Sequence, residues 1–294
     1  MFLEKLKKIK ELLDEKQLIG LFLTGSTLYN AKLDDNQETD YIAVVADVPQ
    51  DFLTGKFVSE QLIEGDVDIK IYSFRQFVQL VLKGNPNILE LFVDKSCLLY
   101  ATDQFKGFYD ELIEFVFEMA RGKLLKALLG MAFSNLKRVK NSQEKTGKSV
   151  FNVLKNIQYI NQITTSGKII SVDFSNIKNV KQKEKWTVKE IDDLEKQIEQ
   201  TKQSCNSAVE KLEYNSDLVD KFNIMSFKFL QTEVVPTFYV QITEFIDSEN
   251  KREGNVAAFL SKEDALKSSE ETKKLLKGKD DISEYQVNVY EFDS

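Results

Sequence analysis

The chain contains no histidine, and only two cysteines and three prolines among 294 residues. Without histidine the commonest general base is missing, and with it the usual histidine-dependent catalytic triads. Zinc is excluded on nearly the same ground, because Cys97 and Cys205 alone cannot complete a tetrahedral ligand set. Both have apolar neighbours and read as structural thiols; two cysteines make no disulfide framework. Chemistry here must rest on carboxylates, lysines, hydroxyls or hard cations held by oxygen. Mg²⁺ suits that inventory, since it needs one or two carboxylates and completes its shell with substrate phosphates.

Long apolar runs are also lacking. No segment reaches the ~18 apolar residues that a membrane span needs, and the opening "MFLEKLKKIKELLDEK" is charged throughout, without a signal peptide's apolar stretch. The expectation is a cytoplasmic protein with no membrane contact, in the host cytoplasm if phage-encoded. The lysine-heavy, histidine-free composition points to an AT-rich genome such as a phage's. Low-complexity tracts are absent, and 42% hydrophobic with 11% aromatic residues describes a folded chain rather than a disordered one.

Charge is unevenly spread. Net charge is -7, yet residues 121–186 carry fourteen basic residues against three acidic ones, so that segment stands at +11 and the remainder at -18. Such asymmetry suggests a face toward a polyanion, RNA or single-stranded DNA, with Lys137, Arg138, Lys140 and Lys145 as phosphate contacts. A solvated helix face is the alternative.

Residues 3–16 place Leu3, Leu6, Ile9, Leu12 and Leu13 at helical spacing. "LIGLFLT" (18–24) reads as a strand covered on both faces, followed by a short helix with Ser26 as N-cap. "ETDYIAVVAD" (38–47) and "DVDIKIY" (66–72) read as two further strands. Ser73 caps a helix bearing Phe74, Phe77, Val78 and Val81; Asn85 and Pro86 open the next. "GNPNILELF" reads as structural punctuation and core, with Leu89, Phe92 and Val93 buried. The period stays helical from Phe105 to about Gly167, and the capping box Thr187–Glu190 opens a polar helix to about Tyr214. "TGKS" (146–149) ends like a P-loop but lacks that motif's first glycine and preceding strand. Trp186 reads as a core anchor. The expected fold class is α/β (α+β): a mixed-sheet core over 1–104, a helical domain over 105–230, and a β-β-α-β appendage over 231–294 that includes the capping box Ser261–Asp264. That appendage is a packing, dimerisation or protein-partner module.

Glu38 and Asp40 lie two apart on one strand and leave the same face; Asp66 and Asp68 do the same on the next. Beside them, Gly25 lets backbone approach closely and the N–H groups of the helix start can meet an anion. Three carboxylates near a helix start could hold two Mg²⁺ ions.

"GSTLYN", then "ETDY", then "DVDIKIYSFRQFVQLVLKGNPNILELF" resembles the DNA polymerase β superfamily of nucleotidyltransferases, in particular a poorly characterised bacterial and phage branch. The resemblance covers residues 18–95, and "LLGMAFSNLKRVKNSQEKTGKSVFNVLKNI" more loosely. It implies the superfamily's αβ fold and transfer of a nucleoside monophosphate from an NTP to an acceptor hydroxyl, on nucleic acid, protein or a small molecule. It further implies that Gly25 and Ser26 bind the triphosphate and that Glu38, Asp40 and Asp68 bind two Mg²⁺. Asp68 would help to deprotonate the acceptor, and Lys148, with Arg75 as a weaker candidate, would reach phosphate. Glu38 stands where the family usually has Asp, Thr27 where Arg is common, Asn30 where Gly is common, and Ser149 where a histidine often follows the lysine. These departures motivate a second reading: a nucleotidyltransferase fold without catalysis, serving as a binding, regulatory, virion or transcription-associated protein.

Overall fold

The computed structural model describes residues 7–9, 11–13, 17–33, 38–48, 51, 54–141, 146–212, 215–233, 238–247, 252–259, 262–276 and 282–292. They fall into two compact units, 1–45 with 58–226, and 46–57 with 227–294.

The first unit is built on a five-stranded sheet of order β3-β4-β2-β1-β5, with β1 (Leu18–Thr24), β2 (Thr39–Val45), β3 (Ser59–Glu64), β4 (Val67–Ser73) and β5 (Leu98–Ala101). Only β2 and β4 run parallel; the other pairs are antiparallel, so the sheet is mixed as expected. β1 is an unbroken apolar run because both its faces are covered. On one face Leu21 packs with Ile9, Leu13, Tyr41, Ala43, Ile69 and Ile71. On the other, Phe22 meets the rings of Phe77, Phe105 and Tyr109. Ile9 and Leu13 bear out the amphipathic reading of the N-terminal helix, whose Leu3 and Leu6 lie outside the described residues.

β3 has no counterpart in the sequence reading. Its residues "SEQLIE" are almost all exposed, which suits a charged edge strand and erases the alternation by which strands are recognised. Strand β1 ends directly in the four-residue helix α1 (Gly25–Leu28), whose N-cap is Thr24 rather than the expected Ser26. The helix starts two residues earlier than read, and the Thr24 side chain makes no cap bond.

The Ser73 and Asn85 caps are as read. Ser73 Oγ accepts from the Gln76 N–H at 3.4 Å to open α2 (Phe74–Leu82), and Asn85 Oδ1 accepts from the Asn87 N–H at 3.0 Å to open α3 (Pro86–Leu89). A helical layer follows: α4 (Asp103–Ile113), α5 (Val116–Asn141), α6 (Gly147–Ser166), a 3₁₀ segment (Ser175–Gln182), α7 (Val188–Glu210) and the start of α8 (Ser216–Glu233). The Thr187–Glu190 capping box is formed, and α7 ends at Glu210, short of Tyr214. α5, α6 and α7 share a core of Ala132, Leu136, Val150, Val153, Leu194 and Ile198, with Trp186 packed against it.

In the second unit, β6 (Phe238–Asp247), β7 (Arg252–Phe259) and β8 (Ile282–Phe292) form an antiparallel sheet of order β7-β6-β8, with α9 (Lys262–Leu276) between β7 and β8. This is the expected β-β-α-β module; Ser261 of its capping box lies outside the described residues. Among the described residues no helix is long and apolar enough to cross a membrane.

Gly20 shows how tightly the sheet is covered. A Cβ there would lie 2.4 Å from Phe105 Cε1, and the fully buried Phe105 is wedged against Phe22, Phe74, Phe77 and Phe108. Gly20→Ala is therefore an overpacking change, expected to cost about 1–3 kcal/mol in chemical denaturation; unchanged stability would contradict this packing.

Candidate functional site

Helix α1 forms where it does because Gly25 holds φ at +66°, a conformation that side chains disfavour, and because space beside it is already taken. A Cβ on Gly25 would lie 1.8 Å from Asp40 Oδ2. The Asp40 carboxylate thus rests directly on the bend and accepts the Ser26 backbone N–H. Asn30, at the far end of the turn, adopts φ +51°, the left-handed conformation that asparagine tolerates in place of glycine.

Asp40 and Asp68 are register partners on the parallel strands β2 and β4 and line the same cleft, whose cavity volume is about 250 Å³. Burial, followed by the charge of Asp68, pushes the Asp40 carboxyl above its ordinary value; the Ser26 N–H, Lys148 and Lys70 oppose that shift. On the edge strand β3, Gln61 Nε2 donates to both oxygens of Asp68, at 2.8 and 3.0 Å, and fixes its orientation.

The opposite wall comes from the helical layer. Lys148 and Lys155 of α6 and Lys181 of the 3₁₀ segment line the cleft with Phe151 and Asn152. Lys148 and Lys155 are seven residues apart, two helical turns, so they share a face. Gly147 brings Lys181 beside them: a Cβ there would lie 2.5 Å from the Lys181 carbonyl oxygen, so the 3₁₀ backbone lies flush against the first turn of α6. Lys181 Nζ donates to the Ala31 carbonyl at 2.8 Å and sits 4.2 Å from the Phe151 ring centroid. Its ammonium is pushed down to about 8, first by burial and then by Lys148 and Lys155.

Lys155 is held by a buried carboxylate. Glu90, 1% exposed, accepts hydrogen bonds from the hydroxyls of Tyr29 and, at 3.2 Å, Tyr159. Lys155 Nζ donates to the Tyr29 hydroxyl at 2.9 Å and lies 3.5 Å from Glu90 Oε2. Burial, with the Glu90 charge beside them, raises both phenols well above their ordinary value and keeps them donors.

Of the residues singled out from the sequence, Gly25, Ser26, Asp40, Asp68 and Lys148 therefore meet in one cleft. Glu38 and Arg75 do not line it. Glu38 is exposed, one residue before β2, outside the ladder that orients Asp40. Strand alternation alone does not aim a side chain beyond the last pair. Arg75 sits in the first turn of α2, also outside the cleft lining. Among the described residues, no group of three or more carboxylates and cysteines could hold a metal ion. The expected triad is therefore a pair. Two carboxylates in register, one destabilised by its neighbour, still suit Mg²⁺ that draws its remaining ligands from water and substrate phosphate. Glu90, Tyr29, Lys155 and Lys181 escaped the sequence reading. For Glu90 the only available signal was a carboxylate inside an otherwise apolar run.

Two outcomes follow from these electrostatics. Lys155→Met leaves Glu90 buried without its cation and is expected to cost about 3 kcal/mol in urea denaturation; adding Glu90→Gln should recover at least half of it. Strict additivity of the two changes would refute the ion pair. For Asp40, a folded-state value above the unfolded one means that its charge opposes folding at neutral pH and ceases to do so below about pH 4. In EDTA at pH 7, Asp40→Asn should raise Tm by about 2 °C, on the order of 1 kcal/mol or less for a half-exposed group. The gain should close as the pH falls toward 4; a lower Tm at pH 7 would contradict the sign.

A solved nucleotidyltransferase-like protein from Exiguobacterium sibiricum 255-15 is similar over 79% of this chain and 78% of its own, at 8% identity and a TM-score of 0.32, too loose a likeness to carry an argument. No curated protein matches the chain. The profile of the RNA repair pathway DNA polymerase beta family matches residues 3–233, which takes in the whole cleft. The chain belongs to this family, and its kinship is with nucleotidyltransferases of the DNA polymerase β type.

Proposed function

We propose that the protein is a Mg²⁺-dependent nucleotidyltransferase that moves a nucleoside monophosphate from an NTP to an acceptor hydroxyl on RNA. The observation that carries this reading is the pairing, within one cleft, of the in-register carboxylates Asp40 and Asp68 with the ammonium groups of Lys148 and Lys181. Asp40 and Asp68 would hold Mg²⁺, which when bound would offset their mutual repulsion and act as a Lewis acid on phosphoryl oxygen. Asp68, fixed by Gln61, is positioned to accept the proton of the acceptor hydroxyl. The lysine wall offsets charge on the phosphates during an in-line displacement.

RNA as acceptor is supported by the description of the family and by the basic end of α5. Lys137, Arg138 and Lys140 are exposed there; Lys140 also pairs with Glu195 at 2.7 Å, and Lys145 lies outside the described residues. One observation favours a second reading, nucleotide binding without transfer: Glu38 leaves the cleft with two acidic ligands where three were expected.

Labelled NTPs with Mg²⁺ and RNA separate the two. Asp40→Asn should lower transfer by roughly 10²–10⁴. Equal transfer by wild type and variant would refute the assignment, and calorimetric NTP binding without any transfer would support the second reading. In filter binding, Lys137→Ala with Arg138→Ala should reduce the slope of log affinity against log salt by about 1.4 for single-stranded RNA. An unchanged slope would remove that face from the interface.

A further inference from the structure

Four strands have one open side among the described residues: β3 and β5 in the first sheet, β7 and β8 in the second. An open side is a row of unpaired N–H and C=O groups, which folded chains shield with charge or proline, or keep short. Glycine weakens a strand as a template in the same sense. Three of the four edges follow these rules. β3 carries Glu60 and Glu64 within six residues, β5 has only four residues, and β7 begins Arg252-Glu253-Gly254.

β8 does not. With eleven residues, Ile282–Phe292, it is the longest of the four, and its stretch Tyr285-Gln286-Val287-Asn288-Val289-Tyr290 has no charge, proline or glycine. Its pairing with β6 is regular from Glu284 to Phe292; the register shift at Ile246/Asp247 lies opposite its first residues. An uncharged, β-prone stretch of that length pairs with further strands unless something covers it.

Charge and register restrict what covers it. Residues 238–292 hold eight basic residues against twelve acidic ones, and β8 itself has Glu284 and Glu291 and no cation, so a polyanion is disfavoured. β8 is, by contrast, complementary to itself. Antiparallel pairing of two copies centred on Val287 sets Tyr285 opposite Val289, Gln286 opposite Asn288 and Glu284 opposite Tyr290. Aromatic beside β-branched, amide beside amide and no like charges face to face are combinations that stabilise a ladder. The two-fold axis also closes the pair, whereas β8 of one copy on β7 of the next would propagate without end.

We propose that the outer edge of β8 is a homodimer interface, in which two copies of the chain pair β8 with β8 antiparallel about Val287. The two three-stranded sheets then become one, of order β7-β6-β8-β8-β6-β7. Because the axis is perpendicular to the sheet, both copies of α9, which packs on all three strands, lie on the same face. The interface does not depend on the chemistry of the cleft.

Sedimentation equilibrium of the full chain should give twice the 33.9 kDa chain mass. Gln286→Lys with Asn288→Lys sets lysine opposite lysine at two places across the axis, and should raise the dimer dissociation constant by about tenfold or more. Gln286→Lys with Asn288→Glu sets lysine opposite glutamate at the same two places, and should bring the constant back to within about threefold of wild type. Hydrogen exchange of the wild type needs no substitution. Raising its concentration through the dissociation constant should slow the alternate amides of β8 that point away from β6, and leave β7 unchanged. Three results would overturn the proposal: a wild type that stays monomeric at its highest soluble concentration, association that the two double variants weaken equally or not at all, and concentration-dependent protection on β7 instead of β8. In the first case a strand from a different protein is the occupant left.

Discussion

Glu90 is the group on which the cleft depends. A carboxylate with almost no solvent contact is tolerable only when it is paired and fully hydrogen-bonded, and its partners come from two separate stretches: Tyr29 after α1, and Lys155 and Tyr159 on α6. Rotating α6 about its axis, or sliding it by a turn, would strand that charge. The ion pair therefore fixes which face of α6 turns to the sheet. Lys148 lies on that face two turns before Lys155, so its approach to Asp40 is a consequence of a contact made elsewhere.

The two walls differ in how they handle charge. On the sheet side, parallel pairing forces Asp40 and Asp68 side by side, and the resulting repulsion is only partly relieved by the Ser26 amide, Gln61 and nearby lysines. On the helical side, three ammonium groups crowd one another and only Lys155 has a buried counter-ion. Both walls are electrostatically unfavourable when taken separately. Such opposed, unrelieved charge gathered in one cleft is what marks it as the candidate functional site. Its cost is carried by the well-packed aromatic cluster around Phe22, Phe77 and Phe105 beneath the sheet.

Much of the scaffold was legible in the chain. β1, β2 and β4 announced themselves by apolar runs or alternation, and the Ser73, Asn85 and Thr187 caps by local chemistry that needs no distant partner. β3 was not legible, because an exposed edge strand has no buried face to pattern it. Glu38 was expected in the cleft because alternation puts it on the face of Asp40, but it lies beyond the first residue of β2, where no ladder bond orients it. Serine favours the cap position, but with Gly25 fitted against Asp40 the helix starts two residues before the start that a Ser26 cap implies.

The sequence by itself determined the chemical repertoire: no histidine, hence carboxylates and lysines, and an acid on each of two strands that follow a Gly-Ser turn. Periodicity and capping are encoded within a few residues, so they survive without coordinates. Which lysines face the acids was decided by the tertiary structure alone. Lys155 meets Tyr29 across 126 positions, and Lys181 meets Ala31 across 150. The buried Glu90 that aligns them sits in what reads locally as a core segment. Contacts of that span leave no periodic trace, because each residue's neighbours in the chain are unrelated to its partners in space.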